Sequence, residues 1–205
     1  MGISNSVVFP FYKKEMVNIR PPVALLGFTN NEYFDGDLYD RQKQNWEING
    51  KWKLNKMYNT IICTRCAYFS KDPEDFIKRC RENLNSGGRL YVDWGIGDHW
   101  RFQNFKVGWV KDGEHEFAYG SDNLLWSGVW DDSILDHVEC KKFQNEIQKK
   151  GYGRDLKKYI YDEIPHVIEL SSINRYFRTE YSVLTLTNPL PLTMYVLIKG
   201  EKIEK

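Results

Sequence analysis

The hydrophobic pattern is clearest in residues 58–84, where it predicts a buried strand followed by an amphipathic helix. Tyr58–Cys63 is a short apolar and β-branched run, which is typical of a buried strand. Asp72 and Pro73 indicate a helix start, because aspartate caps free N–H groups and proline fits the first helical position. The helix is also supported by apolar residues at helical spacing, which are Phe76, Ile77, Cys80 and Leu84.

A second strand follows this helix and completes a βαβ unit. Ser86–Gly88 is expected to end the helix, and Arg89–Asp93 is expected to form the strand. Such units cross over between parallel strands, and ligands of open α/β sheets bind beyond the carboxyl ends of the strands. The pattern therefore points to residues 63–69 and 93–100 as the edge of a binding crevice.

The rest of the chain has weaker patterns of the same two kinds. Val23–Phe28 predicts the first strand of the sheet, and a short helix is plausible near Leu38–Trp46. Further helices are predicted at 133–151 and 156–164, and the closing strands are predicted to begin near 167–170 and to include 181–187 and 193–199. We interpret 1–205 as one domain with a Trp- and Gly-rich insertion at about 96–131.

The central segment resembles that of class I S-adenosylmethionine-dependent methyltransferases. The resemblance lies in YNTIICTR, KDPEDFIKRCRENL and NSGGRLYVDWG, and in the strand-like segments YSVLTLT and TMYVLIK near the end of the sequence. It implies a three-layer α/β sandwich with a mostly parallel, Rossmann-like sheet that ends in an antiparallel strand pair. It also implies S-adenosylmethionine as the cofactor and a small molecule as the methyl acceptor.

The segment that should hold this cofactor departs from the family pattern. The family has a G-x-G-x-G loop after strand 1 and an acidic residue at the end of strand 2, whereas this chain offers only Gly27 in LLGFTNNEY. Leu26 and Thr60 are 34 positions apart, which leaves room for about one crossover. We therefore expect a shortened N-terminal half that lacks the two flanking strands, with at most one additional strand between Phe28 and Tyr58. The expected cofactor-binding residues are Gly27, Phe28 and Asp37, although the Asp35–Asp37 segment also fits an ordinary turn.

The expected acceptor end of the crevice carries the remaining candidate residues. His99 is a candidate general base, and Asp93 is the candidate carboxylate partner. An alternative is a tight turn whose tryptophan rings cover the sheet edge. Residues expected to contact the substrate are Thr64, Arg65, Tyr68, Trp94 and Trp100.

Two other constellations have weaker chemical interpretations. Cys63-x-x-Cys66 has the spacing of a redox pair at a strand-to-helix junction, but buried thiols that pack as small hydrophobes fit equally simply. The segment 114–116 (EHE) together with His99 has metal-ligating residue types, yet neighbouring strand residues point to opposite faces. We therefore expect no metal site.

Composition narrows the classes of partner. The net charge is +1, from 29 basic and 28 acidic residues, which gives no electrostatic reason to expect nucleic acid or a membrane surface as a partner. Four cysteines and the lack of a signal-like leader favour a reducing cytoplasm. A sheet edge left uncovered by missing strands would allow pairing with a second copy.

The sequence thus favours a methyltransferase, with two rivals. A non-catalytic binding or assembly protein derived from the same fold is favoured by the missing glycine-rich loop. An α/β enzyme of another class is less favoured, because G-x-S-x-G and phosphate-binding loop motifs are absent from the sequence.

Overall fold

The computed structural model describes residues 4–42, 46–97, 127–149, 155–186 and 193–204. The strands in these ranges are β1 (Val23–Leu26), β2 (Asp37–Tyr39), β3 (Tyr58–Cys63), β4 (Leu84–Gly97), β5 (Ser127–Val129), β6 (His166–Ile168), β7 (Phe177–Leu186) and β8 (Thr193–Lys202). The helices are α1 (Phe9–Glu15), α2 (Pro73–Glu82), α3 (Asp132–Leu135), α4 (Val138–Lys149), α5 (Leu156–Glu163) and α6 (Leu170–Asn174), with a π-helical turn at Ser4–Val8 and a 3-10 turn at Ala67–Phe69.

Six strands form a mixed sheet in the order β2-β1-β3-β4-β8-β7. β2, β1, β3 and β4 are parallel neighbours, so the predicted parallel core is confirmed. β8 pairs antiparallel with both β4 and β7, which confirms the predicted closing pair and places β7 at the edge of the sheet. The architecture is an α/β fold with a mostly parallel sheet, as the sequence predicts.

The closing strands do not begin near residues 167–170, so that expectation is wrong. β6 pairs in parallel with β5 in a separate two-stranded sheet, through Ser127 and His166, Gly128 and Val167, and Val129 and Ile168. The apolar run at 167–170 is short, and its pattern does not determine which strand it joins.

The shortened half of the sheet holds one flanking strand in its described residues, which confirms the limit of at most one, although we expected neither of the family's two. β2 pairs in parallel with β1, with Leu38 opposite Leu25 and Tyr39 opposite Leu26. The helix expected near Leu38–Trp46 is therefore wrong for its first residues, and residues 43–45 lie outside the described ranges. A strand of three residues is too short to show the alternation by which strands are recognised in a sequence.

The helix of the βαβ unit forms as predicted. Asp72 caps α2 by accepting a hydrogen bond from the Asp75 N–H at 2.9 Å, and Pro73 occupies the first position. One side of α2 buries Phe76, Ile77 and Cys80 against the sheet. β4 begins at Leu84, earlier than predicted, and its register against β3 shifts between Tyr58 and Thr60.

The helix predicted at 133–151 is two helices within its described part. α3 is capped by the Asp131 side chain, which accepts from the Ile134 N–H at 3.0 Å. α4 then begins at Val138, after a break at Asp136 and His137. α5 confirms the prediction for 156–164 to within a residue.

The two faces of the sheet have different covers. One face packs against apolar side chains of α2 to α6, and its core includes Leu26, Cys63, Val92, Trp94 and Val196. The other face packs against the segment that contains α1. The residues of this smaller core include Val8, Tyr12, Leu25, Ile62, Tyr91, Tyr195 and Leu197. No helix in the described ranges is long and apolar enough to cross a bilayer.

Candidate functional site

The register of the parallel strands places four residues side by side at the carboxyl edge of the sheet. Leu26 lies opposite Tyr39, Leu25 lies opposite Ile62, and Cys63 lies opposite Val92. The residues that directly follow Tyr39, Leu26, Cys63 and Val92 on the four parallel strands therefore lie in one row. In the order of the sheet this row is Asp40, Gly27, Thr64 and Asp93, and it lies in the place where open α/β sheets bind their ligands.

Asp93 connects three segments of the chain at this edge. Its side chain is 1% exposed and accepts the Tyr12 hydroxyl at Oδ2 (2.5 Å) and the Arg65 backbone N–H at Oδ1 (2.6 Å). The carboxylate thus links β4 to α1 and to the loop after β3. Burial raises the pKa of Asp93, and the Arg65 guanidinium and the Tyr12 hydroxyl oppose that rise.

The contacts of Asp93 indicate a positioning role. A general base must reach the proton that it removes, and this carboxylate is enclosed by its two donors. Burial also raises the pKa of Tyr12 well above its ordinary value, with Asp93 as the next cause, so the Tyr12 hydroxyl keeps its proton and remains a donor. Sequence reasoning did not find Tyr12, because it lies 81 positions from Asp93.

Arg65 lies in the same cluster with an unusual backbone. Its φ of +62° is in the left-handed region, where the hydrogen bond from its N–H to Asp93 holds it. The guanidinium carbon lies 4.6 Å from the centre of the Tyr195 ring, which is cation–π geometry. Gly95 makes room for that ring, since a Cβ there would lie 2.4 Å from Tyr195 Cδ1.

The other predicted substrate residues near this loop are buried. Thr64 is 3% exposed, and its hydroxyl oxygen has no hydrogen-bond partner among the described residues. Tyr68 is also buried. Trp94 lies in the core, where its indole N–H donates to the Ser127 hydroxyl oxygen at 3.1 Å. Of these, Thr64 has the clearest reason to meet a ligand, because a buried and unpaired hydroxyl is costly.

The segment after β1 is built without a helix. Gly27 has a φ of +78°, and its N–H donates to the Tyr39 carbonyl oxygen at 2.7 Å. A Cβ at Gly27 would lie 2.8 Å from the Cβ and Sγ atoms of Cys66, so this side of the glycine is already filled. Phe28 is buried in the core beside α1. Residues 27–36 thus join β1 to β2 as a loop, and no helix N-terminus faces the edge from this segment.

Asp37 lies at the far end of β2 from the candidate site. It is the first residue of that strand, and its Oδ2 accepts the Tyr58 hydroxyl at 2.6 Å and pairs with Lys56 at 2.9 Å. These two partners lower the pKa of Asp37, with the Tyr58 hydrogen bond as the larger cause. Its predicted cofactor role is untested, and its position favours a structural role.

Asp40 is the acidic residue at the carboxyl end of β2. It directly follows Tyr39, is half-buried, and accepts a hydrogen bond from the Gln42 N–H at 2.8 Å. This is the position at which the resemblance implies a ribose-binding acid. The signal was present in the segment DLYD, but it depended on recognising a strand there.

Three groups of candidate residues fall outside the described ranges. His99, Trp100 and the segment 114–116 lie in the part of the chain that is not described, so the roles predicted for them remain predictions. Within the described residues, no group of three or more His, Cys, Asp and Glu side chains could hold a metal ion.

The comparisons with known proteins found matches among solved structures. No protein-family model matches the chain, and no curated protein sequence does. The structure is similar to that of an inferred S-adenosylmethionine-dependent methyltransferase from Listeria monocytogenes, with 14% identity, 95% of this chain and 96% of that chain covered, and a TM-score of 0.49.

Two further structures show the same kind of likeness. One is TehB from Haemophilus influenzae, with 11% identity, 98% and 66% of the two chains covered, and a TM-score of 0.45. The other is the N-methyltransferase NodS from Bradyrhizobium japonicum in complex with S-adenosyl-L-homocysteine, with 8% identity, 95% and 72% covered, and a TM-score of 0.40. At these identities the likeness concerns the fold alone.

Proposed function

We propose that the protein binds S-adenosylmethionine at the carboxyl edge of β2, β1, β3 and β4 and transfers its methyl group to a small molecule. The observation that carries this proposal is the row formed by Asp40, Gly27, Thr64 and Asp93. It places an acid at the end of β2 and an unpaired buried hydroxyl on β3 at one edge of the sheet. When bound, the cofactor would supply a methyl group on a positively charged sulfur.

The residues fit this cofactor in one part and differ in another. Asp40 offers a carboxylate for the ribose hydroxyl groups, and Thr64 offers a buried hydroxyl that needs a partner. The Gly27 segment offers neither a glycine-rich loop nor the N–H groups of a helix start. Binding would therefore depend on single side chains, and we expect it to be weaker than binding through a full glycine-rich loop.

In this proposal each side of the edge has its own task. Asp93 holds the Thr64–Cys66 loop in place through the Arg65 N–H and does not itself touch the acceptor. The guanidinium of Arg65 remains on the acceptor side, stacked on Tyr195. His99 and Trp100 keep their predicted roles as base and substrate wall. Methyl transfer mainly requires that the acceptor atom be aligned with the sulfonium methyl group.

Calorimetric titration with S-adenosylmethionine and S-adenosylhomocysteine tests the binding. We expect saturable binding to the wild type, and Asp40→Asn should weaken it about tenfold or more, as for a lost hydrogen bond to a charged group. Asp35→Asn is the matched control, since Asp35 is an exposed aspartate in the loop before β2. Equal loss in both variants would show that Asp40 is not the ribose-binding acid.

The alternative is a non-catalytic binding protein with the same fold, and the helix-free loop at 27–36 favours it. The two functions differ in what happens to the cofactor. The methyltransferase releases S-adenosylhomocysteine when it is supplied with labelled S-adenosylmethionine and a small-molecule extract. If the wild type binds neither compound at millimolar concentration, the non-catalytic function is the correct one.

A further inference from the structure

Two cysteines flank a bend at the carboxyl end of β3. Cys63 is the last residue of that strand, and Cys66 immediately precedes the 3-10 turn Ala67–Phe69. Both are free thiols; Cys63 belongs to the core on one face of the sheet, and Cys66 packs against the same core. The two thiols of this motif, whose spacing fits either a redox pair or packed thiols, therefore lie on the same side of the sheet.

The backbone between the two cysteines is suited to closing a disulfide. The chain bends at Arg65, whose φ of +62° is held by the hydrogen bond to Asp93. A disulfide needs a Cα separation of roughly 4.4–6.8 Å, and a bend between two residues three positions apart shortens their separation. Asp93 thus fixes the bend between the two cysteines.

The two thiols differ in access to solvent, which sets the order of reaction. Cys66 is partly exposed, whereas Cys63 is fully buried. Burial raises the pKa of Cys63 well above its ordinary value, so Cys63 reacts poorly with an external oxidant. Cys66 is therefore the thiol that meets the oxidant, and Cys63 is the thiol that attacks second.

We propose that Cys63 and Cys66 form a reversible disulfide when the protein meets a low-molecular-weight disulfide such as oxidised glutathione. The Cys66 thiolate attacks one sulfur of oxidised glutathione, forms a mixed disulfide and releases one glutathione thiolate. Cys63 then loses its proton, attacks Sγ of Cys66 and releases the second glutathione. The protein loses two hydrogen atoms in total, and oxidised glutathione becomes two thiols.

The disulfide also changes the contact between β3 and β1. The Cβ and Sγ atoms of Cys66 fill the space beside Gly27, where a Cβ would meet them at 2.8 Å. Closing the disulfide draws Sγ toward Cys63 and alters this packing. We expect the Gly27 amide, which donates to Tyr39, to exchange faster in the oxidised protein. Formation of the disulfide involves the thiols alone and does not depend on cofactor binding.

Mass spectrometry of the folded protein tests the disulfide. The wild type is incubated with oxidised glutathione, denatured, alkylated and mapped. We expect a species that lacks two hydrogen atoms, with Cys63 and Cys66 protected from alkylation and restored by dithiothreitol. Cys80 and Cys140 should escape oxidation, because both are buried and burial raises the pKa of Cys140 to about 12. Both should therefore be alkylated after denaturation. Four alkylated cysteines, or a stable glutathione adduct on Cys66, would overturn the proposal.

Variants identify the order of attack. Cys63→Ala should retain glutathione on Cys66, Cys66→Ser should retain none, and Cys140→Ser should behave as the wild type. If Cys63→Ala fails to fold, the wild-type map and Cys66→Ser still decide the case. Hydrogen exchange at Gly27, compared between the reduced and oxidised wild type, tests the contact with β1, and equal rates would contradict that part.

Discussion

The two halves of the carboxyl edge differ in how their strands are connected and in how deeply their acidic residues are buried. On the β3–β4 side, a complete crossover with the ten-residue helix α2 joins the strands, and the loop after β3 is held by the buried Asp93 carboxylate. On the β1–β2 side, residues 27–36 join the strands without a helix, and Asp40 is only half-buried. The difference teaches that the carboxylate of Asp93 on one side supports the fold, whereas the carboxylate of Asp40 on the other is available for a ligand.

The largest effect is expected from Asp93→Ala on the β3–β4 side. The substitution leaves the buried Tyr12 hydroxyl and the Arg65 N–H without their acceptor. Each unpaired buried donor costs about 1–3 kcal/mol, so we expect the free energy of unfolding to fall by roughly 3 kcal/mol. Urea denaturation measures this loss. Tyr12→Phe removes one of the two contacts and should cost less. A loss of under about 1 kcal/mol for Asp93→Ala would contradict the structural role of Asp93 on the β3–β4 side.

A smaller loss is expected from Gly27→Ala at the junction of the two sides. Alanine is disfavoured at the φ of +78°, and its Cβ would meet Cys66 at 2.8 Å. The left-handed backbone alone costs about 1–2 kcal/mol, and the contact with Cys66 adds to it. Gly87→Ala is the matched control, because Gly87 has a φ of +61° and its Cβ would meet nothing within 4 Å. Equal losses in thermal or urea unfolding would mean that the Cys66 contact is unimportant.

The pH dependence of stability should also show whether the buried Asp93 stabilises the fold as the neutral acid or as the anion. The pKa of Asp93 is raised in the folded protein, so its favourable contribution is complete below the unfolded pKa and is lost as the pH rises through the folded value. The difference in unfolding free energy between the wild type and Asp93→Asn should therefore shrink from about pH 4 toward neutrality. A difference that grows with pH would show that Asp93 is stabilised as the anion. Parallel urea titrations of both proteins measure it.

The smallest effect is expected from Asp37→Asn at the amino end of β2. Asp37 is about half exposed and loses part of its contacts with Tyr58 and Lys56, so we expect a cost below about 1 kcal/mol. Its pKa is lowered in the folded protein, so this contribution is present at neutral pH and is lost as the pH falls through the folded value. S-adenosylhomocysteine affinity should stay unchanged, and a marked loss of affinity would return Asp37 to the cofactor site.

Sequence reasoning succeeded where local signals and burial agree. The pair Asp72-Pro73 and the apolar spacing of Phe76 and Cys80 predicted α2, which the structure has at Pro73–Glu82. The long β-rich runs predicted β7 and β8, and the family resemblance implied their antiparallel pairing. These elements are long enough for the hydrophobic period to identify them.

The parts that sequence reasoning missed depend on tertiary contacts or on very short elements. β2 has three residues, so Asp40 was not recognised as the acid at a strand end. The bonds of Asp93 to Tyr12 and Arg65 join residues 81 and 28 positions apart, and no local pattern encodes them. Trp94 is a buried core residue of β4, and its predicted contact with a substrate stays a prediction.

The packing of α1 on β8 has a consequence for the order of folding. Lys199 pairs with Glu15 at 3.4 Å across 184 positions, and Tyr12 and Val8 share a core with Tyr195 and Leu197. α1 is synthesised long before β8, so it has no partner strand until the residues between them have also been made. We expect this face of the sheet to close after the βαβ core, and its long loop closure to slow folding.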